Sequence, residues 1–177
     1  VTWGDPKNGG DSSSVASKLN GSIDVVQIFG TMNSFAALRI DGSVVFWGYD
    51  NSYLDSTNNV VQIFSSLYEF AALRADGSVF TTWWNIDKSV AQKLDGTIKV
   101  VQIFTTGRAF AALRIDGSVV TWGASNYGSD GGGSDSSIVA DKLDGTVDVI
   151  QIYSTGDAFA ALRVDGSVVT WGDSRFG

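Results

Sequence analysis

The chain has no cysteine and no histidine among its 177 residues. That excludes disulfides, Cys-based zinc sites, haem attachment through Cys and every triad that uses His as base. It leaves the compartment open, because a Cys-free chain tolerates oxidising and reducing settings alike. No apolar run approaches the roughly 18–20 residues of a membrane span. No signal-peptide pattern is visible. The chain begins at Val1, in mid-repeat, so any leader would lie upstream. Positive charge is scarce too: 12 Lys and Arg stand against 19 Asp and Glu, for a net charge of −7. Nucleic-acid binding needs clustered cations and is not expected. An apolar share of 44% with 18% charged residues suits a folded chain long enough to bury a core.

What is present is one sentence said four times. Phe35-Ala-Ala-Leu-Arg-Ile-Asp-Gly-Ser-Val-Val-Phe-Trp-Gly48 returns as Phe70-Ala-Ala-Leu-Arg-Ala-Asp-Gly-Ser-Val79. It returns again in residues 110–123 and 159–172. Self-similarity of this kind fixes the architecture before any local reading does. A strand precedes each copy: Val25-Val-Gln-Ile-Phe29, then residues 60–64, 100–104 and 149–153, β-branched and aromatic. A polar turn follows, and the repeated sentence then reads as a hairpin. Asp41-Gly42, Asp76-Gly77, Asp116-Gly117 and Asp165-Gly166 suit two-residue type I′ loops. That loop pairs Leu38 with Val45 and Ala36 with Trp47. It puts Ala36, Leu38, Val45 and Trp47 on one face and Phe35, Ala37, Arg39, Val44 and Phe46 on the other. Both faces are apolar and should be covered, with small Ala complementing large Trp. Residues 15–19, 90–94 and 139–143 fit either a helical turn or a short fourth strand.

The strand before a small-residue turn, the Ala-Leu-x-x-Asp-Gly hairpin, the closing Trp-Gly and the Gly-rich connectors resemble the regulator-of-chromosome-condensation (RCC1-like) β-propeller repeat. The wording is similar to protist arrays of "AFAALRxDGSVVTWG" units. The resemblance covers nearly the whole chain. It implies an all-β fold of tandem three- or four-stranded antiparallel units, with a closed four-bladed ring and an open arc both open. The expected organisation is a single repeat domain over 1–177, in units of approximately 1–48, 49–84, 85–123 and 124–172. This chain departs from the family in having four shorter units and in replacing its Gly-Gln-Leu-Gly connector with Gly9-Gly-Asp-Ser-Ser13 and Gly132-Gly-Ser-Asp-Ser-Ser137. Exchange-factor activity on a small GTPase would follow from the resemblance alone. It depends in the founding member on an inserted wedge that has no counterpart here, and fold does not carry function.

Val1, Thr2, Trp3 and Gly4 form half a hairpin whose first half is absent. They cannot complete the last unit by ordinary ring closure, because residues 168–171 hold that slot. An Ala-Ala-Leu partner must come from upstream sequence or from another molecule. The first case makes the chain a window from a longer array. The second is a head-to-tail contact, and one that does not close by rotation builds a fibre.

Other candidates have simpler readings. Gly131-Gly-Gly-Ser-Asp135 and Gly9-Gly-Asp11 lack the Lys of a phosphate loop. Asp130, Asp135 and Asp141 could gather at calcium, but their spacing does not match an EF-hand. Arg39, Arg74, Arg114 and Arg163 recur at one position, where local acid pairing or stacking explains them better than an anion-binding ring. Five of the six Trp recur at hairpin ends and read as core; Trp84 is the extra one. Asn20-Gly-Ser22 is the only N-glycosylation sequon, at a position where other units carry Asp-Gly-Thr turns. The carboxylates lie mostly in turns and no catalytic pair stands out.

The residues thus point to a non-enzymatic structural repeat module without a cofactor. It is expected to be a segment of a longer repetitive protein that self-assembles head-to-tail, with an extracellular or cell-surface setting favoured. The alternative is a monomeric propeller that binds a protein or glycan through its Gly/Ser/Asp connectors.

Overall fold

A computed structural model describes residues 2–49, 58–82, 86–123, 135–173 and 175. The fold is all-β with an RCC1-like repeat. Each repeat is a three-stranded antiparallel sheet with its strands in chain order. The sheets comprise β1 Val25–Gly30, β2 Ser34–Arg39 and β3 Val44–Gly48; β4 Val60–Ser65, β5 Phe70–Arg74 and β6 Val79–Thr81; β7 Val100–Thr105, β8 Ala109–Arg114 and β9 Val119–Gly123; and β10 Val149–Ser154, β11 Ala158–Arg163 and β12 Val168–Gly172. Each first strand carries a bulge near its start, between Val25 and Gln27 in β1.

The segment before each of three sheets is helical, not a fourth strand. Ser13–Lys18 and Ser137–Lys142 are 3₁₀ turns and α1 spans Lys88–Lys93. Each begins where an Asp carboxylate accepts a backbone N–H two residues on: Asp11 from Ser13, Asp87 from Ser89 and Asp135 from Ser137. The apolar residues Val15 and Leu19 stand four apart, a helical spacing that turns both toward β2 and β3.

The hairpin register differs by one residue from the two-residue-loop expectation. The Gly42 N–H donates to the Arg39 carbonyl at 3.0 Å and the Arg39 N–H to the Ser43 carbonyl at 2.9 Å. Only Gly42 has positive φ, whereas a type I′ loop needs it at Asp41 as well. The loop is therefore three residues long. Its Asp accepts from both the backbone and the hydroxyl of Ser43, a bond set that a two-residue loop would not offer. The slip exchanges the faces. Leu38 pairs with Val44, Ala36 with Phe46 and Phe35 with Trp47. Trp47 thus opposes an aromatic ring, not Ala36, and stacks on it at 5.3 Å between centroids. Phe110–Trp122 and Phe159–Trp171 repeat the stack at 5.1 and 5.2 Å.

The chain divides into two compact units, Val1–Ala75 with Phe80–Thr82, and Asp76–Val79 with Trp83–Gly177. In the first, Ala36, Leu38, Val44 and Phe46 pack on Val60, Ile63, Phe70 and Ala72 of the next sheet. On the other side of the β2–β3 hairpin, Val15, Ala37, Val45 and Trp47 form a second cluster with Leu19 and Phe35. The Trp47 Nε1–H donates to the Gly9 carbonyl at 3.1 Å. In the second unit, Ala111 and Leu113 of β8 share a core with Val149, Ile152, Phe159, Ala161, Val169 and Trp171.

Candidate assembly surfaces

Each sheet has two unlike faces. The leading face carries the first and fourth residues of the first strand, together with the Phe-x-Ala of the second. The trailing face carries the Ala-x-Leu of the second strand and the Val that opens the third. Inside each compact unit one trailing face meets one leading face, burying apolar surface on both sides. Backbone bonds fix the junction. The Val60 N–H donates to the Gly42 carbonyl at 2.9 Å and the Met32 N–H to the Leu67 carbonyl at 2.7 Å. The second unit repeats both: Val149 to Gly117 at 2.9 Å and Gly107 to Gly156 at 2.8 Å. The hairpin glycine lies so near the next strand that a Cβ on Gly117 would sit 2.6 Å from the Asp148 Cβ.

Two faces lack this cover. On the leading face of β1, Val25 is 38% exposed and Ile28 59%, where Val60 and Ile63 are 4% and 2%. On the trailing face of the last sheet, Val168 and Tyr153 are each 61% exposed, where Val44 is 7%. Leu162 and Ala160 are half-buried there, while Leu38 and Ala36 are buried. The glycines agree. A Cβ on Gly166 or Gly21 would meet no atom within 4 Å, whereas one on Gly145 would sit 2.9 Å from the Asp116 carbonyl oxygen. None of these residues stood out in the sequence; comparing equivalent positions finds them only once their cover is known.

Of the terminal assembly residues, Val1 lies outside the described set. Thr2, Trp3 and Gly4 have no sheet partner, and Trp3 is 86% exposed. They nonetheless keep the form of a hairpin end. Gly4 has φ +119°, beside +117°, +123° and +119° at Gly48, Gly123 and Gly172. The Thr2 Oγ1–H donates to Ser12 Oγ at 2.9 Å, the distance that also separates Thr121 Oγ1 and Ser136 Oγ. Asn20 is exposed, in a turn where its side-chain oxygen accepts the Ser22 N–H at 2.9 Å.

The repeated Arg residues have local partners. Arg39, Arg114 and Arg163 each donate from Nε to the Ser four residues on, at 2.7 Å. The Ser hydroxyl in turn donates to the turn Asp. Arg74 lies over the Phe80 ring, 5.7 Å from its centroid. These hydrogen bonds hold Asp41 and Asp165 below the usual carboxylate range. At Asp116 burial pushes the other way and is outweighed by the Ser118 bonds. Glu69 is the reverse case: burial pushes its carboxyl up, against a hydrogen bond from Thr82. Among the described residues no group of three or more acidic side chains is placed to hold a metal, and no helix is long and apolar enough to cross a membrane. Trp83, Trp84, Asp130 and residues 131–134 lie outside the described residues.

No protein-family model and no curated protein sequence matches the chain. Solved structures do. The ectodomain of the receptor kinase CR4 from Physcomitrella patens is similar with a TM-score of 0.53 and 16% identity, over 87% of this chain and 42% of that one. Prp20p from Saccharomyces cerevisiae, described with its binding to Gsp1p and histones, gives 0.51 and 21%, over 90% and 46%. The same yeast RCC1 bound to Kap60 gives 0.50 and 20%, over 91% and 44%. The chain spans about half the length of the structures it matches. The likeness defines the class, a β-propeller scaffold built from RCC1-like repeats.

Proposed function

We propose that this chain is a non-enzymatic structural repeat module that associates head-to-tail with further copies of its own repeat. The observation that carries the reading is the segment Thr2-Trp3-Gly4. It holds the backbone form and the Thr–Ser hydrogen bond of a third strand without a neighbouring strand to pair with. Val1, Thr2, Trp3 and Gly4 form the assembly strand, and its complement is an Ala-Ala-Leu strand of another molecule. Electron micrographs and light scattering over a range of concentrations test this. Oligomers or filaments are expected from the native chain, and weaker association after deletion of residues 1–4. Equal assembly by the deletion variant would remove the strand from the reading.

A second reading is a scaffold that binds a protein or glycan through its Gly/Ser/Asp connectors, in an extracellular setting where Asn20 can carry a glycan. Binding of Gsp1p and histones by Prp20p supports the protein partner. Replacing residues 125–137 with a short Gly-Ser turn would then abolish capture of the ligand.

A further inference from the structure

We propose that the uncovered leading face at β1 and the uncovered trailing face of the β10–β12 sheet are the two halves of one joint, and that a second copy of this chain fills each. The inference rests on the self-association reading and names its contact surface. Val25 and Ile28 occupy the positions of Val60 and Ile63, which the trailing face of the preceding sheet covers. Leu162 and Val168 occupy the positions of Leu38 and Val44, which the following leading face covers. Each open face therefore matches, residue type for residue type, a half whose partner is known from inside the same chain. The partner chemistry is an apolar sheet face of this repeat, not a charged or polar ligand.

The backbone is arranged for the same joint. The internal bonds run from the first residue of a leading strand to a hairpin glycine, and between two turn residues. Their counterparts across the proposed joint are Val25 N–H to the Gly166 carbonyl of the second copy, and Gly156 N–H to the Met32 carbonyl. Gly166 and Gly21 have the space that Gly117 and Gly145 lack. The terminal strand fits the same place. Val1-Thr-Trp-Gly4 and Val169-Thr-Trp-Gly172 are identical, so the receiving copy's strand can replace β12 beside the incoming β11. Strand and faces then form one contact, of which the faces supply most of the apolar area.

Sedimentation velocity on Ile28→Asp, Val168→Asp and their mixture tests the proposal. Ile28 and Val168 are exposed in the single chain, so neither change costs the fold its core. Each variant alone should associate at least tenfold more weakly than the native chain. An equimolar mixture should form a dimer that grows no further, because each partner brings one intact face. Val61→Asp is the control: its position is exposed in every repeat, and it should assemble as the native chain does. Native-like assembly of either face variant, or a mixture that stays monomeric, overturns the joint. If the face variants assemble normally while deletion of residues 1–4 abolishes assembly, the strand alone makes the contact and the broader reading survives. A native chain that is monomeric at every concentration overturns both.

Discussion

β1 and β4 are spelled with the same five residues, Val-Val-Gln-Ile-Phe, and fold into the same bulged strand. In β4 the outer Val and Ile are buried under Leu38, Val44 and Phe46; in β1 the same two side chains face solvent. The strand's own residues set what it can bury, and the neighbouring sheet decides whether it does. Stability in such an array is a property of junctions, with each sheet contributing half of the next core. The contrast between a filled and an open junction can be broken at several points.

The largest difference is expected between Ile63→Ala and Ile28→Ala. The first empties a filled junction and should cost about 2–5 kcal/mol, read from denaturant unfolding. The second removes an exposed side chain and should stay within about 0.5 kcal/mol in the unassembled chain. Equal costs would mean that the β1 face is covered in solution. A subtler pair is Gly117→Ala against Gly166→Ala. Both force a Cβ onto a positive φ, at roughly 1–2 kcal/mol. Gly117 also faces the Asp148 side chain at 2.6 Å, which should add about 1–3 kcal/mol for the clash. The excess at Gly117 measures the junction alone.

Much of this was legible in the letters. The Asp-Gly pairs marked the hairpins, and the Val-Val-Gln-Ile runs marked the strands before them. Register was not legible, because Asp-Gly serves two-residue and three-residue loops alike. What selects the longer loop is the set of bonds among Arg39, Asp41 and Ser43, which forms only after the chain has turned. The covered state of each face was also hidden. Val25 and Val60 have identical neighbours in sequence and differ only in what packs against them. Trp3 illustrates the same limit, since the Trp-Gly pair that marks buried hairpin ends elsewhere is exposed at residues 3–4.

The acidic groups split along similar lines. Asp41 and Asp165 have pKa values lowered first by the Ser hydroxyl bonds and then by the backbone N–H bonds of their turns. A depressed folded pKa contributes stability that is present above the unfolded value, about 3.9, and is lost as pH falls through the folded one. Acid unfolding should therefore begin below about pH 4, and Asp165→Asn should flatten that limb of the pH profile. Glu69 has the opposite sign. Its raised pKa favours folding most below the unfolded value of about 4.3 and loses that contribution as pH rises through the folded one. Glu69→Gln should stabilise the chain at neutral pH by well under about 1 kcal/mol, since the site is half-exposed and solvent screens it. The gain should vanish near pH 4. A gain that persists in acid would place its origin in the packing around Thr82, not in the charge.

The smallest effect concerns salt, and it bears on what closes an open junction. The chain carries a net charge of −7, so copies repel each other while their open faces attract through apolar contact. Screening shortens the repulsion, with a Debye length falling from about 14 Å near 0.05 M salt to roughly 4 Å near 0.5 M. Association through Val25, Ile28, Leu162 and Val168 should therefore strengthen with added salt, by roughly two- to tenfold across that range. An association held by ion pairs would weaken instead. The sign of the salt dependence separates an apolar joint of the kind buried between β1–β3 and β4–β6 from a contact made by the charged turns. The measurement needs no variant, only the native chain at two ionic strengths.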